Sequence, residues 1–237
     1  IGSDGLIIIL PSSVADIRMR MFNSDGSESE MCGNGIRCVG RYALTRGLIS
    51  RSDPSVETGA GIRRLEIAEN ADRITVDMGE PEWLPAKIPL NPCLADGEDF
   101  IRRPLRVDGR SWEVTCLSVG NPHAVLFLPD IAGLDLERLG PLFEHHPLFP
   151  RRVNTEFIHV RSPESLDMRV WERGAGETRA CGTGASAAAV AAMRCGLAAR
   201  KVRMNLPGGP LDIEWRADNH IFMTGEAVTV FEGDWPD

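Results

Sequence analysis

Two cysteines stand at the same place in two copies of one pattern. Phe22-Asn-Ser-Asp-Gly-Ser-Glu-Ser-Glu-Met-Cys-Gly-Asn-Gly35 lies over Trp171-Glu-Arg-Gly-Ala-Gly-Glu-Thr-Arg-Ala-Cys-Gly-Thr-Gly184 without a gap. Cys32 meets Cys181, the Gly-x-Gly after each coincides, and Glu28 meets Glu177. An apolar helix is expected directly after both. At a helix start, free N–H groups and the helix dipole stabilise a thiolate. The same N–H groups form an anion site suited to a carboxylate, and the glycines let a ligand approach the backbone closely. Two equivalent thiols suit inversion at a carbon bearing a weakly acidic proton. That reaction needs a base on one face and an acid on the other, each able to exchange roles. The α-proton of an amino acid is such a proton, and its carbanion needs electrostatic support, which helix N-termini can supply.

Polar residues cluster in sequence around these loops. Asn23 and Glu172 occupy equivalent positions just after a strand. Asn121-Pro-His123 is a polar turn before an apolar strand, Asn154 opens another strand, and Glu172-Arg173 is placed to hold an ion pair beside the second loop. Each also has a bland reading: a turn residue for Asn23, a solvated acid for Glu172, a packing histidine for His123, a strand-edge cap for Asn154. No Gly-x-Gly-x-x-Gly after a strand and no phosphate-binding loop is present. The only lysines are Lys87 and Lys201, neither in a distinctive motif, which leaves few candidates for a Schiff base. Cys38, Cys93, Cys116 and Cys195 read as small structural hydrophobes. None of the six cysteines forms a CxxC pair or a zinc-ligand spacing.

The elements that must carry the loops are legible as alternation and punctuation. Ile17–Phe22 and Leu166–Trp171 alternate as strands before the loops. Helices are expected over 36–44 and 185–195, closed by Gly47 and Gly196. Further strands are expected at 5–10, 64–68, 73–78, 105–107, 112–117, 124–128, 154–160, 201–205, 211–215 and 227–231, with one more helix over 135–143. Pro81, Pro85 and Pro89 mark a lobe boundary, giving lobes of 1–82 with 227–237, and 83–226. The repeat predicts that the two lobes bring their Cys-Gly-x-Gly loops face to face.

The 237 residues carry a formal net charge of -8 and are 43% hydrophobic and 25% charged. The acidic balance and the brevity of Arg63-Arg64, Arg102-Arg103 and Arg151-Arg152 argue against a nucleic-acid partner. No apolar run is long enough to span a bilayer, and the cysteine usage fits a reducing, cytoplasmic compartment. The chain begins at Ile1, already inside a strand pattern.

On these motifs the sequence resembles the diaminopimelate epimerase family. The resemblance rests on Phe22 through Cys38, Gly120-Asn-Pro-His123, Arg152-Val-Asn154, Trp171 through Gly184, Leu206-Pro-Gly-Gly209 and Met223-Thr-Gly225, and it covers essentially the whole chain. It implies an α+β fold of two pseudo-symmetric lobes, each a curved, mostly antiparallel sheet around a central helix, with a last strand near 228–231 returning to the first lobe. It implies that Cys32 and Cys181 act as the two bases without pyridoxal phosphate, metal or other cofactor, with His123 and Glu172 assisting the thiols. It implies that Asn23, Asn121, Asn154, Glu172 and Arg173 hold the carboxylates and ammonium groups of a diamino dicarboxylic acid. Gly33, Asn34, Gly182 and Thr183 would take the reacting carboxylate. It further implies a cytoplasmic homodimer whose product feeds lysine and cell-wall synthesis. The family's opening strand and His-Gly-x-Gly-Asn-Asp turn have no counterpart here, and a few dozen residues are expected before Ile1.

Three alternatives stay open on the sequence. A proline or hydroxyproline racemase shares the two-thiol logic but needs fewer groups for the far end of its substrate. A thiol–disulfide protein would use Cys32 and Cys181 as a redox pair. A non-catalytic binding module would keep only the fold.

Overall fold

Strand alternation and glycine punctuation build the first of two compact units, Ile1–Val76 with Thr224–Asp237; the second is Asp77–Met223. The structure, a computed structural model, describes residues 5–23, 26–29, 31–95, 97 and 99–232. Ser24, Asp25 and Glu30 of the first repeat copy lie outside the described residues.

In the first unit β1 (Gly5–Leu10) pairs antiparallel with β2 (Ile17–Asn23), placing Leu6 opposite Phe22. The short β3 (Glu28–Ser29) folds back on β2 and delivers the chain to α1 (Gly33–Thr45). Beyond α1, β4 (Ser55–Thr58) runs parallel to β2, and β5 (Gly61–Ile67) and β6 (Arg73–Gly79), whose last residues belong to the second unit, follow antiparallel. Helix α1 buries Ile36, Val39 and Ala43. Gly40 lets it close on the sheet: a Cβ there would lie 2.7 Å from Leu65 Cδ1.

The second unit holds β7 (Arg103–Val107), β8 (Arg110–Ser118), β9 (Pro122–Phe127), α2 (Leu136–Glu144), β10 (Asn154–Ser162), β11 (Ser165–Glu172) and β12 (Gly176–Thr178). Then come α3 (Gly182–Arg194), β13 (Lys201–Asn205), β14 (Leu211–Trp215) and β15 (Ile221–Glu226), whose last residues belong to the first unit. The sheet runs β14-β13-β11-β10-β9-β8-β7, with β12 attached to β11. Every residue of α3 from Ala185 to Ala192 is buried, and the helix touches β8, β9, β10, β11, β13 and β14. Small alanine side chains give a slim helix, around which a twisted sheet can wrap on several sides. Helix α2 packs on the other face, where Trp112, Phe143 and Phe157 make edge contacts at 5.7 Å between centroids. The architecture is α+β, as the family resemblance implies.

Each unit contains the same path, and the likeness runs well past the cysteine loops. Thr155 opposes Trp171 as Leu6 opposes Phe22, and Trp171 opposes Glu177 as Phe22 opposes Glu28. Arg169 grips Glu177 through two hydrogen bonds of 2.8 and 3.0 Å, and Arg20 grips Glu28 through two of 2.8 and 2.9 Å. Gly47 and Gly196 end the helices at φ 68° and 73°, and Leu48 and Leu197 each donate at 2.8 Å to the carbonyls of Ala43 and Ala192. This is a glycine C-cap of the Schellman type. The β11–β13 pair is parallel like β2–β4, and the turns at Ala71 and Asn219 both carry positive φ.

Two expectations are corrected. The last strand is Ile221–Glu226, and 227–232 forms no strand. Val228, Val230 and Phe231 are exposed, whereas Ile221, Met223 and Gly225 face inward, so the alternation that pairs with the sheet stops before the apolar tail. Cys38 and Cys93 are exposed rather than packed; only Cys116 of the supposed structural set is buried, with Cys195 half-buried.

Candidate active site

In the first unit Cys32 is the N-cap of α1, with φ -134° and ψ 112°, and its Sγ accepts a hydrogen bond from Gly35 N at 3.3 Å. The helix therefore begins immediately after the thiol, three residues earlier than the apolar periodicity indicates, because Gly33-Asn-Gly35 coils without apolar side chains. Gly33 and Asn34 form the first turn. Arg37 is buried one turn on; it donates from Nη1 to Gly33 O at 2.9 Å and from Nη2 to Asn34 Oδ1 at 3.1 Å. Burial pulls its guanidinium below the usual range, while Cys38 and Cys32 act in the opposite sense. Asn23, at the end of β2, donates from Nδ2 to Ser27 Oγ at 3.0 Å and stays exposed.

In the second unit Cys181 is the N-cap of α3, with φ -132° and ψ 111°. Its thiol is buried, and the hydroxyl of Thr183 lies 3.6 Å from Sγ. Burial, then the carboxylates of Glu172 and Glu156, push this thiol well above its ordinary value. Asn121 donates from Nδ2 to Thr183 Oγ1 at 3.4 Å, and its Oδ1 lies 2.9 Å from His123 Nε2. Asn154 is buried and uses both ends of its amide: Nδ2 donates to Pro122 O at 3.1 Å, and Oδ1 accepts from Arg173 N at 2.9 Å. It thereby ties the start of β9 to the β11–β12 turn. Glu172 accepts from the Thr178 hydroxyl across that turn rather than from Arg173, whose Nη1 donates to Arg151 O at 3.3 Å. The second unit thus gathers Cys181, Gly182, Thr183, Asn121, His123, Asn154, Glu172 and Arg173; the first unit gathers Cys32, Gly33, Asn34 and Asn23.

Each loop places a thiol at the start of a helix, where backbone N–H groups and the helix dipole favour an anion. The model of the diaminopimelate epimerase family matches residues 1–84 and 115–230 of this sequence. The chain belongs to the diaminopimelate epimerase family. It is 56% identical over 242 residues to the diaminopimelate epimerase of Desulfovibrio desulfuricans, spanning 99% of this chain and 84% of that protein. It is 53% identical to that of Acetivibrio thermocellus, again over 99% and 84% of the two chains. Among solved structures, a hydroxyproline epimerase from Agrobacterium vitis is similar with a TM-score of 0.68 and 15% identity, over 94% of this chain and 71% of that one. A phenazine biosynthesis protein from Bacillus anthracis is similar with a TM-score of 0.65 and 17% identity, over 96% and 86%. At these identities the likeness is one of fold alone.

Two buried acids at the second loop escape the sequence reading. Glu156 places Oε1 2.7 Å from His123 Nδ1, with both side chains fully buried. Burial raises its carboxyl group, and the neighbouring His123 works against that rise. Glu144, at the end of α2, accepts from Trp171 Nε1 at 2.8 Å and from Gly174 N at 3.0 Å. Neither acid has a sequence signal beyond its position beside an apolar run. Arg37 is hidden in the same way, since an arginine inside a helix ordinarily reads as a solvated face.

Proposed function

We propose that this chain converts LL-diaminopimelate to the meso isomer by moving a Cα proton between Cys32 and Cys181. The observation that supports this most is the pair of thiols. In a chain of the diaminopimelate epimerase family, each stands at the N-cap position of a helix, with nearly the same backbone angles, inside a matching motif. One sulfur, as thiolate, takes the Cα proton, and the C–H electron pair stays on Cα as a carbanion. The other, as thiol, delivers a proton to the opposite face, and the reverse reaction exchanges the roles. The N–H groups of Gly33, Asn34, Gly182 and Thr183 stabilise the reacting carboxylate and the charge that develops beside it. Asn23, Asn121, Asn154, Glu172 and Arg173 hold the remaining carboxylate and ammonium groups, and His123 and Glu172 assist the thiols. The reading uses no cofactor and no metal. It takes the molecule as two lobes, 1–82 with 227–237 and 83–226, in a cytoplasmic homodimer with no nucleic-acid partner. Among the described residues, no helix is long and apolar enough to cross a membrane.

The names of the curated relatives favour neither a proline-type racemase nor a thiol redox protein. The decisive experiment is incubation of the reduced protein with LL-diaminopimelate in deuterated water, following deuterium entry at Cα together with the meso isomer. Both are expected, and formation of the meso isomer is expected to vanish in Cys32→Ala and in Cys181→Ala, whichever thiol still exchanges the Cα proton on its own face. Meso isomer that still forms after either substitution would exclude the two-base reading.

A further inference from the structure

The two loops differ at one spot beneath the first helical turn. In the first unit a Cβ on Gly35 would meet Ile7 Cδ1 at 2.5 Å; in the second, a Cβ on Gly184 would meet Glu156 Oε1 at 2.7 Å. Ile7 and Glu156 are equivalent by strand register, opposite Met21 and Val170. A methyl group in one copy is therefore replaced by a carboxyl group in the other, next to the thiol: Cys181 Sγ lies 3.2 Å from the same Gly184 position.

Glu156 is also the far end of a continuous line of polar contacts. Its Oε1 meets His123 Nδ1 at 2.7 Å, His123 Nε2 meets Asn121 Oδ1 at 2.9 Å, Asn121 Nδ2 meets Thr183 Oγ1 at 3.4 Å, and Thr183 Oγ1 meets Cys181 Sγ at 3.6 Å. With Asn121 Oδ1 accepting, His123 carries a proton on Nε2. A further proton then lies between Nδ1 and Oε1, held either by the acid or by the ring. The other oxygen, Oε2, is buried and has no hydrogen-bond partner among the described residues. A bare carboxylate there would be costly, which favours the proton staying in the pair. The ionisable groups that face this place are Glu156 from β10, His123 from β9, Glu172 from β11, Cys116 from β8, and Cys181 itself.

We propose that Glu156 is a positioning residue for the Cys181 thiol: it shares a proton with His123, fixes that ring with Nε2–H toward Asn121, and so orients Asn121 and Thr183 against Cys181. The proposal rests on Cys181 being one of the two bases. It assigns to the second loop an electrostatic setting that Ile7 denies to the first.

The test uses Glu156→Gln, Glu156→Asp and Glu156→Ile in the full chain. The pH dependence of Cys181 alkylation by iodoacetamide is read by peptide mass spectrometry, alongside kcat and KM for Cα exchange. In Glu156→Gln the alkylation midpoint is expected to shift by about 0.5–1 pH unit, because the amide cannot share a proton with His123, and the ring, Asn121 and Thr183 lose their set alignment against Cys181. Its kcat is expected to fall roughly 10-fold with KM within about twofold, as for loss of a supporting contact. Glu156→Asp, which keeps the acid, is expected to hold the parent's midpoint. A folded Glu156→Gln with unchanged midpoint and kcat would overturn the proposal. So would equal losses in all three variants that track only their melting temperatures. If Glu156→Gln does not fold, nitrogen NMR of His123 in the unaltered protein decides: a bare Nε2 refutes the assignment. Alkylation needs no substrate, so a parent that fails to exchange diaminopimelate would sink the proposed function while leaving this arm readable.

Discussion

Trp171 Nε1 donates to the buried Glu144 carboxylate at 2.8 Å, joining the last turn of α2 to the strand that leads into the second cysteine loop. The same carboxylate accepts from Gly174 N at 3.0 Å and from Arg152 Nη1 at 3.3 Å. Burial raises its carboxyl group, but the bonds from Trp171 and Gly174, with His145 and Arg152, outweigh that and leave it below the ordinary value. Glu144 therefore sets the turn that carries Glu172 and Arg173. Replacing it with Ala strands a buried indole N–H and a backbone N–H, a cost of about 2–4 kcal/mol. Urea unfolding of Glu144→Ala is expected to show this loss, with KM for diaminopimelate rising as the turn loosens. Unchanged stability would mean that water replaces the carboxylate. The linkage sign is that of a depressed acid: the contribution is full above the unfolded value and fades as pH falls through the folded one.

Asn154 offers a sharper separation, since its two hydrogen bonds have opposite polarity. Asn154→Asp can still accept from Arg173 N but cannot donate to Pro122 O; it leaves two acceptors facing each other. Asn154→Ala loses both. Each is expected to destabilise the second unit by about 1–3 kcal/mol, with Asp no better than Ala. A residue acting only on substrate would raise KM and leave the unfolding midpoint where it was.

The candidate site is legible in the sequence where chemistry demands residue types and spacing, and illegible where only shape is kept. Cys32 and Cys181, with their glycines, stand out because a thiol at a helix N-cap position beside a close backbone approach admits few substitutes. Outside the loops a few letters still coincide, such as Arg20 with Arg169 and Gly47 with Gly196, but much of the repeat is invisible as letters. Leu6 answers to Thr155 and Ile7 to Glu156; what the pairs share is strand register. The spacing also shortens by one residue after the helices, so that Ala71 answers to Asn219, and a gapless overlay loses the match there. Glu156 was hidden because β10 is covered on both faces, so its buried run Asn154–Ile158 gives no alternation to mark an inward acid. The final strand was misplaced for a related reason: Thr224-Gly225 dilutes the true pattern, while Val228 and Val230 offer an apolar one that the sheet does not use.

The glycines after the two thiols predict an asymmetry. Ala at position 35 would press on Ile7 Cδ1, the free end of a flexible side chain, with Cys32 Sγ at 3.5 Å. Ala at position 184 would press on Glu156 Oε1 at 2.7 Å, Met168 Cε at 3.1 Å and Cys181 Sγ at 3.2 Å together. Helix propensity favours Ala over Gly by about 1 kcal/mol at both, so the crowding decides. Gly35→Ala is expected within about 1 kcal/mol of the parent, and Gly184→Ala less stable by about 1–3 kcal/mol. Thermal melts of the two variants side by side would read this directly. Equal effects would mean that the His123–Glu156 pair yields as easily as the methyl of Ile7.

His220 predicts how stability changes near neutral pH. Its Nδ1 lies 2.9 Å from both oxygens of Asp77, and Nε2 lies 3.9 Å from Glu80. The hydrogen bond with Asp77 raises its pKa above the ordinary value, burial opposing slightly and the charge of Asp77 adding to the rise. An imidazolium held this way binds its proton more tightly folded than unfolded. Its stabilisation is therefore complete below about pH 6.5, the unfolded value, and is lost as pH rises through the higher folded one. His220→Gln should thus be less stable than the parent at pH 5.5, and the gap should narrow steadily toward pH 8.5. The pair is partly exposed, so salt should shrink the gap at the acidic end. Chemical unfolding of both proteins across this range gives the answer. A gap that does not change with pH would assign His220 a packing role with no charge in it, and would leave Asp77 to be stabilised by something other than the ring it touches.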